Sequence, residues 1–145
     1  MRIPSIIILA LAAAALAAGS ATAGGAKGSG FFKTSNGKIY CEWASSNVVC
    51  GIKNGKLKPA PKNNCKGIDY IGGWLAVNAR GSSKVQACSG DAGPFANPSR
   101  TSTLKSGATK RLGSTSCKAT TSAMTCRNAA KHGFTINTSG TYKRF

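Results

Sequence analysis

The sequence predicts an all-β fold: a small, disulfide-stapled domain of antiparallel hairpins, arranged as an open barrel or a sandwich, with little helix. Six cysteines stand in a chain of 145 residues, and two pairs share one spacing, Cys41 to Cys50 and Cys117 to Cys126. Around each pair apolar and polar residues alternate, as they do in strands with one buried face. No stretch after residue 23 keeps the apolar period of a helix.

The N-terminal residues 1–23 predict a cleaved signal peptide. Arg2 supplies a positive charge, residues 6–18 are apolar, and Ala21, Thr22 and Ala23 form a small-residue cleavage site. The apolar stretch is shorter than the roughly 20 residues of a membrane-spanning helix. We therefore expect no transmembrane segment and a protein that is secreted or associated with the cell wall. In a short exported chain, an even number of cysteines predicts a disulfide framework.

The chain after the signal predicts one domain. Residues 24–30 are rich in glycine and predict a flexible leader, and residues 31–145 predict a single disulfide-rich β domain. A mature chain of about 120 residues has the usual length of one domain. We expect it to be a monomer.

Two hairpins follow from the shared cysteine spacing. If Cys41 faces Cys50, Trp43 faces Val48 and the tip falls at residues 45–46. One face then carries the apolar set Ile39, Cys41, Trp43, Val48, Cys50 and Ile52, and the other carries Tyr40, Glu42 and Val49. The second hairpin repeats this register, with Cys117 opposite Cys126, Ala119 opposite Met124 and its tip at residues 121–122.

The middle of the chain predicts a third pair of strands, at residues 74–78 and 84–88, joined by a turn at residues 80–83. Cys65 and Cys88 are then the remaining disulfide pair, out of 15 connectivities that six cysteines allow. Residues 89–113 are dense in Gly, Pro, Ser and Thr, and we assign no element to them. Leu104 and Leu112 are their expected apolar anchors, and Trp43 and Trp74 are expected in the core.

Charge is the other strong feature. Twenty basic residues oppose three acids, a formal net charge of +17, and the basic residues are spread along the chain. Such a surface attracts polyanions. Residues 53–66 concentrate this charge without an acid and hold two prolines, which predicts an exposed loop. Its lysines are the candidate polyanion-binding residues: Lys53, Lys56, Lys58, Lys62 and Lys66.

Candidate catalytic residues are few. His132 is the single histidine, so neither a paired-histidine mechanism nor a multi-histidine metal site is available within one chain. With Gly133, which allows a positive φ, it predicts a turn before a strand. Asp91, among glycines, predicts a turn former that bonds nearby backbone N–H groups. Glu42, Asp69 and Asp91 form a carboxylate pair only if folding brings two of them together. We therefore predict no catalytic residue, no metal and no cofactor.

Short motifs surround the cysteines. They are FKTSNGKIYC at 32–41, VVCGI at 48–52, CSGD at 88–91, SC at 116–117, MTC at 124–126 and HGF at 132–134. Together they resemble a family of small exported actinobacterial six-cysteine proteins of unknown function. Gly51, Ala92 and Asn137 depart from that family's pattern, where Asp, Thr and Ser are usual. The resemblance implies export and the same cysteine framework, and it implies no activity.

Three classes of function fit these observations. The first is a non-catalytic binder of extracellular or cell-envelope polyanions, without sequence-specific nucleic-acid recognition, and this is the one we expect. The second is a small secreted hydrolase, ribonuclease-like, using His132 and a carboxylate. The third is an inhibitor or effector that docks on another exported protein. The position of His132 relative to the three acids distinguishes the hydrolase from the binder.

Overall fold

The computed structural model describes residues 28–145, and these residues form strands in two sheets. The strands are β1 (Ser29–Thr34), β2 (Ile39–Ala44), β3 (Asn47–Ile52), β4 (Asp69–Val77), β5 (Lys84–Ser89), β6 (Thr101–Leu104), β7 (Thr109–Leu112), β8 (Thr115–Ala119), β9 (Ala123–Asn128), β10 (Gly133–Asn137) and β11 (Tyr142–Arg144). Two short 3-10 helices, Gly93–Phe95 and Pro98–Arg100, lie between β5 and β6. The predicted all-β class is confirmed.

The two sheets pack face to face as a sandwich, which is one of the two predicted arrangements. The six-stranded sheet has the order β5-β4-β3-β2-β1-β6, and the five-stranded sheet has the order β11-β10-β9-β8-β7. Most neighbours are antiparallel, but β6 runs parallel to β1, with Phe31 opposite Thr101. In the described part of the chain, no helix has the length and hydropathy to cross a membrane.

The N-terminal predictions fall mainly outside the described residues. The signal peptide, residues 1–23, lies outside them, as does most of the leader predicted at residues 24–30. The end of that leader differs from the prediction, since β1 begins at Ser29. Ser29 and Gly30 pair with Ala44 and Trp43 of β2, so the strand takes in two residues that lack apolar side chains.

Both predicted hairpin registers are present. Cys41 pairs with Cys50 and Trp43 with Val48 in β2 and β3, and Cys117 pairs with Cys126 and Ala119 with Met124 in β8 and β9. Both pairs are disulfide-bonded with the same Cα separation, 4.1 Å. A third disulfide joins Cys65 to Cys88. The first two are the pairs that the hairpin registers indicate, and the third is the pair that then remains.

The core lies between the sheets, and the two hairpin disulfides meet inside it. The Sγ atoms of Cys50 and Cys126 are 3.9 Å apart, a van der Waals contact across the sandwich. Apolar side chains from both sheets surround them: Phe32, Ile39, Trp43, Val48, Ile52, Leu57, Leu75, Val77, Leu112, Ala119, Met124, Phe134 and Ile136. The disulfides therefore occupy the place where a larger domain would pack aliphatic side chains.

Residues 89–113 were the weakest part of the sequence prediction. They contain β6, β7 and both 3-10 helices, and none of these elements had been assigned from the sequence. Leu112 is fully buried and Leu104 packs against the core, so both act as the predicted anchors. β6 owes its position to pairing with β1, about 70 residues away along the chain, and local composition carries no trace of such a partner.

Candidate functional site

The predicted polyanion-binding lysines lie on the connection between β3 and β4. All five side chains, at positions 53, 56, 58, 62 and 66, are exposed. The connection is not a free loop, because Leu57 in its middle is 1% exposed and belongs to the core. An apolar anchor between Lys56 and Lys58 fixes the backbone while the charged side chains stay in water.

Hydrogen bonds hold the first half of this connection. The Leu57 N–H donates to the Gly72 carbonyl at 3.0 Å, and the Lys58 N–H donates to the Gly140 carbonyl at 2.9 Å. Gly73 lies directly beneath, where an added Cβ would come within 2.8 Å of the Leu57 side chain. The glycine at this position therefore lets the lysine-bearing backbone approach β4 closely.

The second half is held by a covalent bond and a side chain. Cys65 is bonded to Cys88 of β5, and the Tyr70 hydroxyl donates to the Pro61 carbonyl at 2.8 Å. The Lys56 Nζ lies 5.5 Å from the centroid of the Tyr70 ring, within the range of a cation–π contact. The lysines are thus presented on a fixed backbone.

A cleft opens beside Lys56 on the outer face of the six-stranded sheet. It has a volume of about 490 Å³ and is lined by Lys56, Ile71, Trp74, Asp91, Phe95 and neighbouring backbone. A second depression of about 390 Å³, lined by Tyr40, Lys53, Phe95 and Pro98, adjoins it. Phe95 separates the two, with its ring centroid 5.5 Å from that of Tyr40 and 6.2 Å from that of Trp74.

The aromatic residues can approach the backbone of the sheet closely here because Gly51 has no side chain. A Cβ at Gly51 would come within 2.6 Å of Trp74 and 3.2 Å of Phe95. Lys33 and Lys53 rim the same cluster, each with its Nζ 5.5 Å from the Tyr40 ring centroid. Trp74 is buried as predicted, but beneath the segment that follows β5 and not in the core between the sheets.

Folding brings two of the three acids together on this face. Burial raises the pKa of the Glu42 carboxyl above its ordinary value, and the nearby charge of Asp91 adds to the rise. Cross-strand neighbours explain the desolvation, since Glu42 stands between Phe31 and Val49. Asp69, the first residue of β4, is exposed.

Asp91 has the role of a turn former. Its Oδ1 accepts hydrogen bonds from the Ser89 hydroxyl at 3.0 Å and from the Gly93 N–H at 2.9 Å. These bonds shape the turn that leads into the first 3-10 helix and so position Phe95 over the sheet. Sequence reasoning missed Phe95, although a lone large apolar residue within a Gly- and Pro-rich stretch is the kind of signal that indicates an anchor.

His132 lies on the other sheet. It stands in the turn between β9 and β10, where its backbone exchanges hydrogen bonds with Asn128. The positive φ in this turn belongs to Lys131, at 70°, and not to Gly133 as predicted. Gly133 is instead required because a Cβ there would overlap the Cys126 carbonyl. Two acids therefore lie on strands of the six-stranded sheet and the third follows its strand β5, whereas the imidazole lies in a turn of the five-stranded sheet.

One group of potential metal ligands occurs within residues 28–145. It consists of Cys41, Cys50 and Cys126, all buried. Each of these sulfurs is part of a disulfide, and metal binding needs a thiolate. The group is the contact between the two hairpin disulfides described above.

Comparison with known proteins places the whole domain in one family. The model of a family of unknown function, DUF6636, matches residues 4–143. Neither the curated proteins nor the solved structures contain a match to the chain. The match spans both sheets and all six cysteines, so the sandwich and its disulfides describe the domain to which the family model applies.

Proposed function

This chain belongs to the DUF6636 family of unknown function, and from that premise we propose that it is a secreted, non-catalytic binder of anionic polymers outside the cell. The observation that carries the proposal is the lysine-bearing connection, residues 53–66. Its five lysines are exposed, no acid interrupts them, and the backbone beneath them is fixed. Three disulfides are consistent with an extracellular location.

A fixed backbone matters for the affinity of charged side chains. Like charges on a flexible segment move apart, and a polymer must then hold them together at a cost in entropy. Here Leu57 and the Cys65–Cys88 disulfide meet that cost during folding. Lys53 and Lys56 border the two depressions around Phe95, so a polymer along the connection meets an apolar surface as well as charge.

The non-catalytic part of the proposal rests on the separation of acids and imidazole. Glu42 and Asp91 lie near one another, but Asp91 is engaged in its turn and His132 is on the opposite sheet. A general acid and base must both reach one substrate atom or its bound water. We therefore place the function in the charged surface.

The test is a comparison of two triple variants that remove equal charge. Lys56→Gln, Lys58→Gln and Lys62→Gln together should elute from heparin at lower salt than the wild type. Against single-stranded DNA of random sequence, the magnitude of the negative slope of log affinity on log salt should fall by about two units, at roughly 0.7 for each phosphate neutralised. Thermal stability should not change, because these side chains are exposed.

The control variant carries Lys118→Gln, Lys131→Gln and Lys143→Gln, all exposed and located on strands or a turn of the other sheet. It should retain most of the heparin and DNA affinity. Equal losses in the two triple variants would mean that the net charge acts alone, and the proposal would fail. His132→Ala should leave binding and folding intact, whereas loss of a turnover activity in that variant would support a hydrolase.

A further inference from the structure

A second basic site lies on the outer face of the five-stranded sheet. Arg111 of β7 and Arg127 of β9 are both in register with Ser116 of β8, which lies between them. Neighbouring strands are about 4.8 Å apart, so the two arginine backbones are separated by roughly 10 Å with the serine in the middle. Both guanidinium groups have the length to reach over Ser116.

The structure has a pocket at this place. It has a volume of about 280 Å³ and is lined by Arg111, Ser114, Ser116, Arg127 and Asn128 with adjoining backbone. Asn128 is fully engaged elsewhere, because its Nδ2 donates to the carbonyls of Asn78 and Gly81, at 3.0 and 2.9 Å, and its Oδ1 accepts from the His132 N–H. These bonds fix one wall of the pocket, and the hydroxyls of Ser114 and Thr115 donate to the carbonyls of Ala79 and Ser46, at 3.5 and 2.6 Å. The two arginines and Ser116 are the remaining polar side chains of the lining.

No acidic side chain of the chain belongs to this sheet. The three acids are Glu42 on β2, Asp69 on β4 and Asp91 after β5. Two cations that converge without an anion repel one another, and an anionic ligand relieves that repulsion. The same face is otherwise polar, with Thr109, Lys118, Thr125 and Thr135 directed outward along the next row.

We infer that this pocket binds a phosphate group. A guanidinium presents a planar fork of donors that matches two oxygens of a phosphate. A tetrahedral phosphate has enough oxygens to accept from Arg111 and Arg127 on opposite sides and from the Ser116 hydroxyl beneath. A carboxylate has two oxygens in one plane, so it pairs with one arginine and leaves the other without an anionic partner.

This site is independent of the proposed function. The lysine-bearing connection belongs to the six-stranded sheet, whereas the phosphate pocket is formed by three strands of the other sheet. The phosphate could be free, the end of a monoester or a diester within a polymer. All three share the oxygens that the arginines recognise, and the experiment separates them.

The experiment is an NMR titration of the folded protein at constant ionic strength. The probes are inorganic phosphate, methyl phosphate and dimethyl phosphate, with acetate for comparison. Amide shifts at residues 111–116 and 127–129 should respond to inorganic and methyl phosphate and not to acetate. An equal response to dimethyl phosphate indicates a diester in a chain, and a weak one indicates free phosphate or a monoester.

Matched variants show whether phosphate binding depends on the pocket or on the overall positive charge of the protein. Arg111→Gln and Arg127→Gln should each weaken phosphate binding by at least about tenfold, and Ser116→Ala by a smaller factor. Lys118→Gln removes the same charge from the same face and should change affinity less than about twofold. Equal weakening by Lys118→Gln, or equal binding of acetate, would overturn the inference.

The proposal for the lysine-bearing connection and the proposal for the phosphate pocket can be rejected independently. The Lys56, Lys58 and Lys62 triple variant should bind inorganic phosphate as the wild type does, and the two arginine variants should keep most of the heparin retention. Arg111 and Arg127 are exposed, so their variants should fold, and unchanged thermal unfolding verifies this before titration.

Discussion

The two cysteine-bearing hairpins are alike on their inner faces and different on their outer faces. In β2–β3 and β8–β9 the disulfides have the same sequence separation, 9, the same Cα distance and the same register. The outward positions that flank the cysteines are Tyr40, Glu42, Val49 and Gly51 in the first hairpin. In the second they are Ser116, Lys118, Thr125 and Arg127.

This difference determines what each face can do. Apart from the half-buried Glu42, the first set is aromatic, aliphatic or small, and the segment with Phe95 covers part of it. The second set is polar and basic, remains open, and contributes Ser116 and Arg127 to the phosphate pocket. The same inward-facing pattern thus stabilises both hairpins, and the outward residues give each sheet a different surface. Each prediction below changes one hairpin and uses the other for comparison.

The largest effect is expected from removal of a hairpin disulfide. Cys41→Ala with Cys50→Ala, and Cys117→Ala with Cys126→Ala, should each lower the free energy of unfolding by about 3 kcal/mol through loop entropy. The lost sulfur contact in the core adds to this. Because the hairpins match inside, urea unfolding should give similar losses for both. A loss below about 1 kcal/mol for one pair alone would show that the inner faces are not equivalent.

A smaller effect is expected at the residue after the second cysteine of each hairpin. Gly51→Ala forces a Cβ against Trp74 and Phe95 and should cost about 1 to 3 kcal/mol. Arg127→Ala at the matching position meets open solvent and should change stability by less than about 0.5 kcal/mol. Urea unfolding measures both, and Trp fluorescence should shift only for Gly51→Ala. Equal costs would mean that the outer faces are equally packed.

The inner faces could be predicted from sequence because their determinants are local. Cysteine spacing and alternation of apolar residues fix the register of a hairpin within a dozen residues. The outer faces needed the structure, since their partners are remote in sequence. Phe95 reaches Tyr40 and Trp74 only after the turn at Asp91 has formed.

The two candidate sites also differ in how far the sequence could predict them. The lysines of residues 53–66 are visible as a run, although Leu57, which fixes them, was not recognised as a core residue. The phosphate pocket depends on pairing between three strands, which aligns Arg111, Ser116 and Arg127. Nothing in the composition of residues 89–113 predicted β7, so the first of these residues could not be placed beside the others.

The smallest effect is a pH dependence that belongs to the first hairpin alone. Because burial, and then the charge of Asp91, raise the pKa of Glu42 in the folded protein, the folded state holds this proton at pH values where the unfolded state has lost it. The contribution of Glu42 to stability therefore falls as the pH rises from the ordinary glutamate pKa to the raised one. Glu42→Gln should remove this decline and be more stable than the wild type above that range.

Urea midpoints measured between about pH 4 and 7 test this, with Lys118→Gln at the matching position of the second hairpin as the control that leaves the profile unchanged. Asp91→Asn keeps an oxygen for the Ser89 and Gly93 hydrogen bonds and removes the charge, so it should reduce the decline without abolishing it. Burial is the larger cause and remains in that variant. The opposite result is a wild type that becomes more stable relative to Glu42→Gln as the pH rises. It would show that a cation stabilises the Glu42 carboxylate. The two outer faces would then differ in packing alone.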